Sequence, residues 1–172
     1  MSTNDEKPKS ERIIDDLKRR QQENKIVDVD EKMIKIVIFS IGSKRYAFYG
    51  SSVKEILPAG TISWIPSLPD FLPGLITIRG DIESVVDIRY FLGEISSSIP
   101  CKYIALVVTD SFRAGILVDS IDDVTDIPLS AIRPPLTTLG GVARELVCGE
   151  VEWCRETVAL FDIAKLESRI TL

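Results

Sequence analysis

The sequence predicts a mostly β chain folded as two small barrels, and three observations carry that prediction. Short runs rich in Ile and Val recur along the chain, Gly, Ser and Pro turn residues separate them at regular spacing, and the runs fall into two clusters of comparable size. The first cluster comprises Met33 to Ile41, Arg45 to Tyr49, Ile62 to Pro66, Leu75 to Arg79 and Ile82 to Ile88, with Val53 to Leu57 read as a helical turn between them. Gly42-Ser43-Lys44, Gly50-Ser51-Ser52 and Pro66-Ser67-Leu68-Pro69-Asp70 are the intervening turns. The second comprises Tyr103 to Thr109, Ala114 to Val118, Val124 to Ile127, Leu146 to Val151 and Thr157 to Phe161. Leu92 to Pro100, with three consecutive serines, reads as a loop, and Leu136 to Arg144, with Gly140-Gly141, as a mobile one. Asp162 reads as the N-cap of a terminal helix with Ile163, Leu166 and Ile170 on one face. Closing each sheet on itself would remove the exposed edges that short strands leave.

Composition sets the boundaries of this domain. Residues 1–32 hold 17 charged residues and no aromatic, against 30 charged in the remaining 140, so this segment is read as a charged tail, partly disordered or helical. Ser10 would cap a nascent solvated helix with Ile13, Ile14 and Leu17 as its stripe. Residues 33–168 form the domain and 169–172 its C-terminal end. No apolar run approaches the ~20 residues that span a bilayer, so no membrane insertion is expected. The opening residues lack the apolar core of a signal peptide, which makes the cytoplasm the expected address.

Composition also excludes chemistries. The chain has no histidine, which removes Ser-His-Asp and Cys-His catalysis and His-ligated metal sites. Cys101, Cys148 and Cys154 are odd in number and lack Cys-x-x-Cys spacing, so neither a disulfide framework nor a zinc site is indicated. A net charge of -5 without a basic cluster argues against nucleic acid. No glycine group has dinucleotide or Walker spacing, and no cofactor is expected. Asp81, Glu83 and Asp87 are the only candidate acid/base group, with no nucleophile nearby; a carboxylate enzyme would need them converging in a deep pocket.

The most informative stretch is Leu72 to Gly93, in which two β-type runs flank the corner Arg79-Gly80-Asp81. The corner places a guanidinium beside an apolar surface, which suits docking better than reaction. Arg79 could pair bidentately with a partner's carboxylate or bond helix-terminal carbonyls; the plainer alternative pairs it internally with Asp81 or Asp87. Gly80 is the pivot, where a side chain is expected to crowd the corner.

This stretch resembles the signature of CheW-type chemotaxis coupling proteins, through Phe71-Leu72, Gly74, Thr77-Ile78-Arg79-Gly80, Val85-Val86 and Asp87-Ile88-Arg89. Ile38-Phe39, Tyr46-Ala47-Phe48, Val53-Lys54-Glu55-Ile56, Gly115 to Asp119, Ile132-Arg133-Pro134 and Leu160-Phe161-Asp162 extend it over residues 33 to 168. The resemblance implies two SH3-like five-stranded barrels packed about a shared apolar core. It implies a non-enzymatic signalling adaptor between the cytoplasmic tip of methyl-accepting chemoreceptors and the regulatory domain of a CheA-type histidine kinase, recruited to receptor arrays. By the same resemblance Arg79, Gly80, Glu55 and Thr77 fall on the receptor side, and Val53, Ile56 and Val37 on the kinase side. Thr77 stands where the pattern has Asn, Ser84 where it often has Pro, and Gly50-Ser51-Ser52 where it has an apolar-acidic segment, so a twitching-motility array is as open as a flagellar one. A CheW-like module that binds receptors without the kinase is the remaining alternative.

Overall fold

In the structure, a computed structural model, residues 31–94, 100–135 and 140–171 are described. The expected tail helix and most of the serine loop lie outside these residues. The described strands are β1 (Met33–Ile41), β2 (Lys44–Tyr49), β3 (Val53–Pro58), β4 (Ser63–Trp64), β5 (Gly74–Ile78), β6 (Asp81–Asp87), β7 (Tyr103–Val108), β8 (Arg113–Val118), β9 (Ser120–Pro128), β10 (Val147–Trp153) and β11 (Glu156–Phe161). Three short helices, α1 (Arg89–Leu92), α2 (Gly141–Leu146) and α3 (Ile163–Ile170), complete the body.

The strands form two sheets, in the orders β10-β11-β2-β1-β9 and β3-β7-β8-β6-β5-β4. The first sheet therefore draws its strands from both ends of the body, and the second is inserted between them. Arg133 and Glu150 exchange backbone hydrogen bonds of 2.8 Å in each direction, joining the chain beyond β9 to β10 and drawing the first sheet's two edges together. The two sheets repeat one pattern: each has an antiparallel pair (β1/β2, β7/β8) joined in parallel to a hairpin (β10/β11, β5/β6).

This architecture explains why so many strands are apolar on both faces. Ile36, Ile38, Ala47, Val158 and Leu160 fill the interior of the first sheet, and Ile76, Ile78, Val85, Ile104 and Leu106 that of the second. The alternate residues, including Phe39, Phe48, Val86, Val107, Ile116 and Phe161, meet in a third cluster between the sheets. Period two sends neighbouring side chains to opposite faces, and here each face finds its own core. Burying each such aliphatic or aromatic side chain stabilises the fold by about 1.5–3 kcal/mol relative to leaving it in water. Phe39 stacks on Phe48 with ring centroids 4.4 Å apart, and Phe161 lies 6.0 Å from Phe48, so aromatic packing anchors the shared cluster.

Three expectations are corrected. Val53 to Leu57 is a strand, because Val, Ile and Leu there find ladder partners on β7 that a lone helical turn would forgo. Only Ser63–Trp64 of the run Ile62 to Pro66 pairs as strand. In the expected loop Leu136 to Arg144, residues 136–139 lie outside the described ones, but Gly141–Leu146 is helical, and fully buried Leu146 ties it to the shared core. The cap at Asp162 is as expected: its carboxylate accepts from the backbone N–H groups of Ala164 and Lys165 at 3.0 and 3.3 Å.

Candidate functional site: the β5–β6 corner and the face beside it

Ile78 pairs with Asp81 across the end of the β5–β6 hairpin, leaving Arg79 and Gly80 as a two-residue loop. Both carry positive φ, 52° and 95°, the backbone of a type I′ turn, whose twist matches that of the flanking strands. A Cβ added at Gly80 would meet nothing within 4 Å, so the expected crowding is absent and glycine is favoured there by its left-handed backbone. Gly74, at the start of β5, is constrained by space instead: a Cβ there would lie 2.1 Å from the carbonyl oxygen of Ser63 on β4.

The Arg79 side chain, 78% exposed, reaches back from the corner to Glu55 on β3, whose side chain is only 22% exposed. Its Nε donates to both carboxylate oxygens at 3.2 and 3.0 Å and its Nη2 to Oε1 at 2.6 Å. The pairing is thus internal, but with Glu55 and with neither Asp81 nor Asp87. Because β3 begins the second sheet's order and β5 lies next to its far end, this ion pair clasps the seam between the sheet's edges. The hydrogen bonds from Arg79, aided by its charge, hold the Glu55 carboxyl below its ordinary value, and Glu55 in turn raises the Arg79 guanidinium. The first sheet has a counterpart, in which Trp153 at the end of β10 donates from Nε1 to Asp123 on β9 at 3.2 Å.

The three acids considered as an acid/base group are tied up by two arginines, Asp81 and Glu83 by one and Asp87 by the other. Glu83, 5% exposed, accepts from Arg113 Nε, and Asp81 from Arg113 Nη2 at 3.3 Å. Asp87 is gripped by Arg89, with Nε to Oδ1 at 2.8 Å and Nη2 to Oδ2 at 2.5 Å. No group of three or more His, Cys, Asp or Glu side chains among the described residues is placed to hold a metal ion. Burial pushes the Cys101 thiol up to about 12 and raises Cys148, so neither presents a thiolate at neutral pH.

On the other side of β3, a bulge at Lys54 resets the strand's phase. Val53 pairs with Val107 and Ile56 with Ala105, both on the shared-core side, whereas Glu55 and Leu57 pair with Leu106 and Ile104 on the interior side. Val53 and Ile56 therefore share a face despite being three residues apart, and Glu55 points the other way. Val53 is half-buried against the shared core and Ile56 is half-buried. Val37 is 4% exposed and presents almost no surface.

Thr77 lies on the exposed face of β5, opposite Ile82 on β6. Ile82 is 71% exposed, the feature that sequence reasoning missed. Hydrophobicity would turn Ile82 inward and Glu83 outward, yet the structure does the reverse. The signal was available in the register: Ile76 and Ile78 face inward, a two-residue loop places Glu83 opposite Ile76, and so Ile82 must face out.

Two sheets sharing one core, with an ion-paired corner at the rim, define the class: a domain of two fused SH3-like barrels. The chain belongs to the CheW-like domain family, whose model matches residues 35–170. It is 32% identical over 132 residues to protein FrzA of Myxococcus xanthus, covering 74% of this chain and 81% of that one. To the chemotaxis protein CheW of Klebsiella aerogenes it is 29% identical over 133 residues, covering 77% and 80%. The crystal structure of scaffolding protein TtCheW from Thermoanaerobacter tengcongensis matches with a TM-score of 0.69 at 27% identity, over 79% of this chain and 88% of that one.

Proposed function

We propose that the chain is a non-enzymatic cytoplasmic adaptor that joins the cytoplasmic tip of a methyl-accepting chemoreceptor to the regulatory domain of a CheA-type histidine kinase, with residues 33–168 carrying both surfaces. The observation that supports this most is the Arg79–Glu55 clasp: a charged, oriented, largely exposed guanidinium fixed at the rim of a rigid body. Arg79 and Gly80 form the receptor-side corner, Thr77 flanks it, and Glu55 supports it from beneath. Ile56 and Val53 supply the kinase side, together with Val37 on β1. Two sites on one body let receptor geometry reach the kinase without a cofactor.

Co-sedimentation of the full chain with a receptor cytoplasmic fragment and a CheA regulatory domain tests this. Arg79→Ala should lose the receptor fragment and keep the kinase domain, and Ile56→Asp the reverse. Retention of neither partner by the wild-type chain refutes the adaptor reading. The narrow apolar surface left by half-buried Val53 and buried Val37 favours one alternative, a module that binds receptors alone, and that reading requires receptor retention without kinase retention.

A further inference from the structure

Ile56 to Pro69 is the longest stretch of the chain without a charged residue, although 27% of all residues are charged. It holds β4, the last strand in the second sheet's order, whose outer edge pairs with no described strand. Trp64 on β4 is the most exposed large apolar side chain among the described residues, at 73%. The register explains that exposure. Trp64 stands opposite Gly74, which has no side chain to cover it, and a Cβ at Gly74 would strike the Ser63 carbonyl, so no larger residue fits there. Among the described residues the indole meets no other ring, no cation and no hydrogen-bond acceptor. Pro58, Thr61, Pro66 and Leu68, from the same uncharged stretch, are exposed as well.

We infer that this edge is a self-association surface, at which a second copy of the chain docks across a two-fold axis with Trp64 at its centre. Three observations select a second copy. With a net charge of -5, two copies repel wherever charged surfaces face each other, and this stretch lets them meet with no like charges opposed. A strongly charged partner would instead be desolvated here without a counter-charge. An open strand edge is also complementary to itself: two β4 edges running antiparallel about a two-fold axis pair through identical groups, and each Trp64 gains the cover that Gly74 does not give. Finally, the edge lacks the lysine or other charge that commonly blocks such pairing. β4 has only two residues and Pro66 has no N–H to extend the ladder, so the contact is short and the dimer weak. Trp64 lies at the opposite end of β5 from the Arg79-Gly80 corner, and the inference does not rest on the adaptor reading.

Sedimentation equilibrium of the full chain tests this over about 1 to about 500 μM, with wild type, Trp64→Lys, Trp64→Ser and Ile82→Ser. The wild-type mass should rise with concentration from 19.1 kDa toward twice that value and stop there. Trp64→Lys and Trp64→Ser should each weaken association by about tenfold or more, and in dilute solution keep the wild-type melting temperature, because the indole is exposed and unpartnered. Ile82 is nearly as exposed but lies on the opposite face of the sheet, so Ile82→Ser should associate as the wild type does. Raising salt to ~1 M should strengthen the dimer by screening the like net charges. The inference falls if the wild type keeps the mass of one chain at every concentration and salt, or if both Trp64 variants associate as it does. It falls equally if Ile82→Ser weakens association as much as they do, or if salt weakens it, which would mark an ion-paired contact elsewhere. Mass that grows past two chains would show head-to-tail joining in place of a two-fold contact, and overturns it too.

Discussion

Glu55 and Arg79 show how little a surface ion pair needs to do for stability in order to matter for geometry. Both partners sit where water screens them, so the pair's value is the orientation it imposes on the guanidinium. The hydrogen bonds hold the Glu55 carboxyl below its ordinary value of 4.5. A group whose folded value is depressed contributes above its unfolded value and loses that contribution as pH falls through the folded one. The clasp is therefore complete at neutral pH and opens only in acid, below the ordinary glutamate range. A carbon-detected NMR titration of the Glu55 side chain should place its midpoint under 4.5, and Arg79→Ala should return it to the ordinary range; an unchanged midpoint would show that the clasp is not formed in solution. The sequence singled out both residues but could not pair them. Their partnership spans 24 positions and depends on the second sheet bringing β3 and the β5–β6 loop to one rim.

At the scale of elements, legibility follows how local the determining physics is. The terminal helix was readable because its cap, its apolar spacing and its polar face all lie within nine residues, Asp162 to Ile170. β3 was not, because Val53-Lys54-Glu55-Ile56 has apolar residues three apart, which suits a helical turn, and only pairing with β7 reveals the bulge that produces the same spacing on a strand. Ile82 failed for a related reason: its inward or outward phase is set by Ile76 across the hairpin and not by its own hydrophobicity. For α3 the local account gives a measurable consequence. Asp162→Ala removes the acceptor for two otherwise unpaired N–H groups and should cost about 1 kcal/mol. Urea unfolding should show this as a lower midpoint at constant slope. No midpoint change would mean that packing of Ile163 and Leu166 alone fixes the helix start.

The whole molecule is two barrels that cannot be separated, because the strands of each supply one face of a common core. Residues 53–118, which hold the second sheet, are contiguous, although the sequence divides them between its two strand clusters. Cut out, they would expose Val86, Ile88, Ala105, Val107 and Ile116, all fully buried in the intact body. The first sheet is in the same position with Phe39, Phe48 and Phe161. Composition and periodicity foresaw two strand clusters, but not that the chain crosses between them so that one barrel interrupts the other, since neither measure records which strands pair. Rigidity between the barrels is what an adaptor needs if one surface is to be held at a fixed orientation to the other, and the shared aromatic cluster provides it. Calorimetry should therefore show one unfolding transition for residues 33–171, with calorimetric and van't Hoff enthalpies in agreement. Phe161→Ala, which removes a fully buried ring from the cluster that holds residues of both sheets, should cost about 3–5 kcal/mol and lower that single midpoint by on the order of 10 °C without splitting it. Two resolved transitions, in either the wild type or the variant, would show that the barrels fold independently and that the shared cluster is a contact and not a common core.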